Sequence, residues 1–202
     1  MLELAAQAGI GLLAGLLGGL LGVGGSTIIV PGLIIYLSQT SSYSGSQQHL
    51  VQSAAMICNV FIAAPAVVAH RQAGAVMKSV VYRLIPAALI GIILGVALTN
   101  SRWFACENGR YLALTLAGFL IYVAGYNVWR LVSKTNLTEQ FDSDNMRMPG
   151  WKIIAVGLPM GFVAGLLGIG GGSLCVPAQQ FLLRLPLRRA IANSAATIMC
   201  VA

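Results

Sequence analysis

Negative charge is nearly missing from this 202-residue chain, which holds five acidic residues against twelve Lys and Arg. The five, Glu3, Glu107, Glu139, Asp142 and Asp144, all lie near a terminus or in polar stretches between apolar runs. With no carboxylate inside a spanning segment, a cation substrate and a carboxylate proton relay are both disfavoured. The four cysteines, Cys58, Cys106, Cys175 and Cys200, show no CxxC spacing, so neither a metal site nor a disulfide framework is expected. They read as small apolar fillers. The two histidines, His49 and His70, begin and end one apolar run, where interfacial capping is preferred to proton relay. No nucleophile, base and acid can be assembled into a set, which argues against an enzyme; no catalytic residue and no cofactor are expected. The basic excess does not point to nucleic acid either, because the Lys and Arg sit between apolar runs and not along one stripe. The start is not a signal peptide: Met1, Leu2, Glu3 and Leu4 form no basic n-region, and the apolar stretch outlasts the usual ~7–15 residues.

What is present is apolar. The chain is 57% hydrophobic and 8% charged, where a soluble domain carries roughly a quarter charged residues. It is also repeated. Gly11 to Pro31 reads GLLAGLLGGLLGVGGSTIIVP, and Gly157 to Pro177 reads GLPMGFVAGLLGIGGGSLCVP, with eleven of twenty-one positions identical at an offset of 146. An apolar helix that runs into a glycine cluster and then restarts is the sequence form of a discontinuous membrane helix. One in each half of a chain points to a transporter's binding site.

The apolar runs are approximately Leu2–Leu21, Thr27–Leu37, His49–Ala69, Ser79–Thr99, Tyr111–Val132, Ile153–Leu167, Leu174–Leu183 and one starting near Ala190. Those at His49, Ser79 and Tyr111 reach the ~20 residues that cross a ~30 Å hydrocarbon core. Pro65 and Pro86 fall inside two of them, where kinks are expected. The charges then choose between two drawings of the first segment. If it folds back as a hairpin at Gly22–Ser26, the loops at Arg71–Arg83, Arg130–Lys152 and Arg184–Arg189 share one face and hold ten of the twelve Lys and Arg. Only Arg102 and Arg110 remain opposite, so the positive-inside rule favours the hairpin over a straight passage.

The expected fold is therefore an all-α, polytopic integral membrane protein of two inverted repeats, each opening with a glycine-broken helical hairpin. Residues 1–132 form the first repeat, the broken hairpin plus three spans. Residues 133–152 form a cytoplasmic linker loop, and 153–202 begin a second repeat. In that repeat AIANSAATIMCVA aligns with HLVQSAAMICNVF at an offset of 141, pairing Ser53 with Ser194, and the chain stops inside the helix. By analogy with the first repeat about 70 residues are missing, as in a fragment or a truncated gene. The expected location is the cell membrane, an inner or plasma membrane, with the N-terminus outside.

At GVGGSTIIVP and GIGGGSLCVP, each followed by a Ser-Ala-Ala helix start, the chain resembles the TauE/SafE sulfite exporter family. The likeness covers the first repeat and the first third of the second. It implies a membrane transporter of sulfite, sulfonates or related small organosulfur anions. The family's small-residue-Thr-Ser element corresponds here to Gln52-Ser53 and Asn193-Ser194, where the serines match and the threonines do not.

The ladders Gly11-Gly15-Gly19 and Gly157-Gly161-Gly165 place glycine on one helix face; static packing is preferred to a sliding surface. The clusters Gly22–Ser26 and Gly168–Gly172 differ in kind. A broken helix end leaves polar main-chain groups that must face protein or a wet cavity, and the restarting segment offers the positive end of its dipole to an anion. A tight turn without ligand is the competing reading; because the motif occurs twice, the site reading is preferred. Neither cluster is a phosphate loop, since no Gly-Lys-[Ser/Thr] follows. Arg83 is expected to snorkel, and buried Asn59 to bond across helices. The candidate substrate-binding residues are Gly24, Gly25, Ser26, Thr27, Ser53, Gly170, Gly171, Gly172, Ser173 and Ser194. The expected partners are a small anionic substrate and the lipid bilayer, with a homo-oligomer allowed and no nucleic acid. The alternative is a non-transporting membrane subunit whose glycine ladders bind a partner.

Overall fold

The structure is a computed structural model, and it describes residues 8–16, 24–39, 48–99, 109–132 and 149–201. Every regular element among them is an α-helix. In chain order these are α1 (residues 8–16), α2 (Ser26–Gln39), α3 (Gln48–Gln72), α4 (Lys78–Thr99), α5 (Gly109–Val132), α6 (Gly150–Leu167), α7 (Gly172–Leu182) and α8 (Leu187–Val201). All five acidic residues, Gly19, Gly22, Arg102 and most of the 133–152 linker lie outside the described residues.

Three described helical stretches are long and apolar enough to cross a membrane: Leu50–Gln72, Lys78–Thr99 and Gly150–Leu167. The third reaches 18 residues because α6 begins at Gly150, three residues before the apolar run starts. The described apolar part of α5 is the shorter Leu114–Tyr126. α3 and α4 continue through Pro65 and Pro86, each of which removes one backbone bond that a membrane bundle tolerates. The outer faces are apolar, with Phe61 at 75% and Ile121 at 73% exposure. In water such a surface would aggregate, but against lipid it needs no cover.

Both glycine-broken segments fold back on themselves. A Cβ built on Gly32 would lie 3.0 Å from Ile10 Cγ2, and one on Gly25 would lie 3.3 Å from the Ala14 carbonyl oxygen. Positions along α1 therefore fall as those along α2 rise, which makes the pair antiparallel. The same contact recurs 146 residues on, where a Cβ on Gly171 would lie 2.9 Å from the carbonyl oxygen of Met160. The repeat is thus one of packing as well as of letters.

Helix directions follow from contacts of this kind. Ser26 is bonded to Asn59, while Ile29 and Val30 share a cluster with Ala55 and Val51, so α2 and α3 are antiparallel. The start of α3 (Gln52, Ser53) shares a cavity with the end of α4 (Val96, Thr99), so these two are antiparallel as well. α4 and α6 run parallel: Gly157 faces Leu84 and Ala87, Gly161 faces Ala88, and Gly165 faces Ile92. Lys78 and Gly150 consequently begin their helices at the same end of the bundle. α1 and α6, the openings of the two repeats, enter from opposite ends. The repeats are inverted.

α4 against α6 is the most extensive helix pair. It is glycine on both sides, with Gly91 of α4 meeting Gly161 of α6 and Gly95 meeting Gly165. A Cβ on Gly161 would collide with the Ala88 carbonyl, and one on Gly91 with that of Leu158. Lipid gives helices no hydrophobic reason to associate, so the gain comes from dispersion over closely approached backbones. At the end where α6 begins, Trp129 stacks on Phe181 with centroids 6.4 Å apart, Tyr126 packs on both, and Trp151 is exposed. Such aromatics suit a membrane–water boundary, and the Lys152 ammonium lies 5.8 Å from the Trp151 ring centroid.

Candidate functional site

The two breaks meet. A Cβ built on Gly24 would lie 3.6 Å from the carbonyl oxygen of Ile169, and one on Gly170 would lie 3.5 Å from Ser26 Oγ. Thus the cluster of the first repeat touches that of the second, although about 145 residues separate them. The turn before α7 needs glycine for its backbone: Gly168, Gly170 and Gly171 have φ of 66°, 69° and 68°, and Gly24 has 88°. Only glycine adopts this region without steric cost. Gly168 also closes α6, donating its N–H to the Ala164 carbonyl at 2.8 Å.

Asn59, midway along α3, sits at the junction. The Ser26 N–H donates to Asn59 Oδ1 at 2.9 Å, and Asn59 Nδ2 donates to Ser26 Oγ at 2.7 Å. The same Nδ2 lies where a Cβ on Gly170 would have to be. Asn59 is 1% exposed and fulfils the cross-helix role read from its position in a span. It also alters the expectation for α2. The helix restarts at Ser26, one residue earlier than read, and its first N–H is already bonded to a side chain. α7 likewise starts one residue early, at Gly172, but no side chain caps it.

The other candidates are distributed around this junction. Ser26 is fully buried, Gly25 is buried against Ile62 and Ala14, and Thr27 is half-buried. Gly170, Gly171, Gly172 and Ser173 are all buried in the second break. Ser53 lies near the start of α3 and lines a cavity of about 290 Å³ with Gln52, Met56, Val96, Thr99, Gly165 and Gly168. Ser194 is fully buried on α8 and bonded to the thiol of Cys175 in the first turn of α7. The two serines that align at an offset of 141 therefore stand in different surroundings, one beside a cavity and one inside a helix contact.

Two side chains of the site carry a signal that the sequence motifs did not. Gln52 Nε2 and Ser173 Oγ are buried and, among the described residues, have no hydrogen-bond partner. Gln52 packs against Gly168, with its Cγ 2.9 Å from a built Cβ there. Asn193, the residue aligned with Gln52, is satisfied instead: its Oδ1 accepts from the Met77 N–H at 2.8 Å and its Nδ2 donates to Gln179 Oε1. Among the described residues no group of His, Cys, Asp and Glu could hold a metal. Gln52 was visible only as the departure from the threonine of the expected element.

These features define the class: a polytopic all-α membrane protein of inverted repeats whose broken helices meet inside the bundle. The chain belongs to the sulfite exporter TauE/SafE family, whose pattern it matches over residues 7–202. Curated relatives carry transporter names. It is 27% identical over 93% of its length to the probable membrane transporter protein MamO of Paramagnetospirillum magneticum, covering 32% of that protein. It is 28% identical over 92% of its length to the probable membrane transporter protein YunE of Bacillus subtilis, covering 70%. A probable membrane transporter protein of Xylella fastidiosa is 30% identical over 92% of the chain and is covered to 66%. The chain thus spans about a third of the MamO length and two thirds or more of YunE. No solved structure matches it.

Proposed function

We propose that the protein carries small anions across the cell membrane, with sulfite, sulfonates and related organosulfur anions as the substrate class. The observation that supports this most is the meeting of the two breaks. It brings two helix N-termini, four glycines with left-handed backbone and the hydroxyls of Ser26 and Ser173 into one buried region. An anion gains there from the dipole of a restarting helix and from backbone that glycine leaves uncovered. The names of the relatives and the family support the transport class. In the inverted architecture, substrate would reach the breaks from either side as one repeat rocks against the other.

The competing reading, a membrane subunit that uses its ladders to bind a partner, is weakened because the Gly157-Gly161-Gly165 ladder is consumed by α4 within the chain. Flux of radiolabelled sulfite into proteoliposomes is the test. Saturable uptake that taurine or unlabelled sulfite competes away supports the proposal. Flux no faster than in protein-free liposomes, for both anions, would refute it.

A further inference from the structure

Resting on the anion reading above, we infer that the site is one-sided: the N-terminus of α7 binds the anion, with Ser173 and Gln52 as donor side chains, while that of α2 is closed by Asn59. The two termini are repeat-mates in sequence and differ in what meets them. At α2 the Ser26 N–H and hydroxyl are both engaged by Asn59, at 2.9 and 2.7 Å, in a fully buried contact. An anion there would have to displace a neutral side chain that already supplies the acceptor. The residue aligned with Asn59 in the second repeat is Cys200, at the offset of 141, and it is exposed on α8. A thiol offers only a weak acceptor, and α7 has no side-chain cap.

Among the described residues, both orphaned polar groups named above lie in or against this second break and none against the first. Ser173, second residue of α7, is 4% exposed, and its Oγ has no partner among the described residues. Gln52, 6% exposed, reaches the other side of the same turn from α3, packing on Gly168 with its Nε2 equally unpartnered. Buried polar groups are nearly always bonded, so two exceptions flanking one uncapped helix terminus call for a ligand. Ser173 can give an O–H and Gln52 an N–H, and neither adds negative charge; an oxyanion accepts from both. Gln52 also lines the 290 Å³ cavity that touches the turn at Gly168, which gives the anion a route to it. The engineering consequence is that a polar group waiting for a ligand costs the empty protein stability, whereas a polar group with a structural partner provides it.

That contrast supplies the test. The full chain in lipid nanodiscs is titrated with sodium sulfite and melted without ligand, comparing Ser173→Ala, Gln52→Leu and Ser26→Ala. Ser173→Ala and Gln52→Leu should each weaken sulfite binding about 3- to 10-fold, the loss of one hydrogen bond, with an unchanged or raised melting temperature. Ser26→Ala should lower the melting temperature and weaken binding less than Ser173→Ala does. Equal affinity losses at Ser26 and Ser173 would overturn the one-sided site while leaving anion binding intact. A lowered melting temperature or failed folding in Ser173→Ala would show a structural partner and overturn it too, as would unaltered affinity in both Ser173→Ala and Gln52→Leu. Absence of saturable sulfite and taurine binding in the unmodified chain would instead remove the functional reading on which the site rests.

Discussion

Replacing Gly161 and Gly15 by alanine, one at a time, separates the roles of two residues that the repeat makes equivalent. At Gly161 the new methyl would run into the Ala88 carbonyl oxygen, with Ala88 C at 2.7 Å and Cα at 2.8 Å. These are backbone atoms, which cannot rotate aside, so α4 and α6 must separate and lose contact along their length. Overpacking of this kind costs about 1–3 kcal/mol. Alanine recovers about 1 kcal/mol of helix propensity over glycine. A net loss of up to about 2 kcal/mol is expected. At Gly15 nothing among the described residues lies within 4 Å of the built Cβ, so only the propensity gain applies. The two variants should therefore differ by about 1–3 kcal/mol, with opposite signs. Melting followed by fluorescence-detected size exclusion reads both in one detergent. Equal shifts, or a greater loss at Gly15, would refute the α4–α6 packing described above.

Asn59→Ala should be costly as well, since it leaves the buried Ser26 N–H without an acceptor, a penalty of about 1–3 kcal/mol. An unchanged melting temperature would show that Asn59 does not hold the first break. Single cysteines placed in residues 133–148 and in 101–108, on a cysteine-free background, should be labelled from opposite faces of the membrane, the former from the cytoplasm. Labelling of both from one face would contradict the inverted topology. Ser53→Ala should weaken sulfite binding several-fold, whereas Ser194→Ala should chiefly lower the melting temperature because its hydroxyl is bonded to the Cys175 thiol; the reverse pattern would exchange their roles.

The helices were legible because lipid imposes strong rules on apolar length, which marked the spans at His49 and Ser79. The offset of 146 disclosed both hairpins, and the contacts of Ala14 with Gly25 and of Met160 with Gly171 repeat it in three dimensions. The length of α6 was underestimated, because its first turn (Gly150, Trp151, Lys152) is boundary material that apolarity alone does not mark. The site was legible only as far as its backbone. Glycine clusters announce a break, but a sequence does not say which neighbour occupies the freed donors. That neighbour at α2 is Asn59, 33 positions away, whereas among the described residues no side chain caps α7. Gln52 is harder still, since it stands out only by an Nε2 that has no hydrogen-bond partner among the described residues. Likewise the partner of the α6 ladder, the Gly91 and Gly95 face of α4, lacks the regular glycine ladder of α6 and emerges only from helix packing.

The most direct measurement of whether the meeting breaks form the anion path is radiolabelled sulfite flux in proteoliposomes, normalised to folded protein, for Gly25→Val and Gly171→Val. Gly171 has a φ of 68° and packs on Met160, so a β-branched residue both strains the turn and covers the backbone that the anion would approach. A Cβ on Gly25 would collide with the Ile62 side chain and lie 3.3 Å from the Ala14 carbonyl oxygen. Normalised flux near zero in both variants is the predicted result. Flux per folded molecule equal to that of the unmodified chain would mean that the clusters are packing turns and that the anion crosses elsewhere.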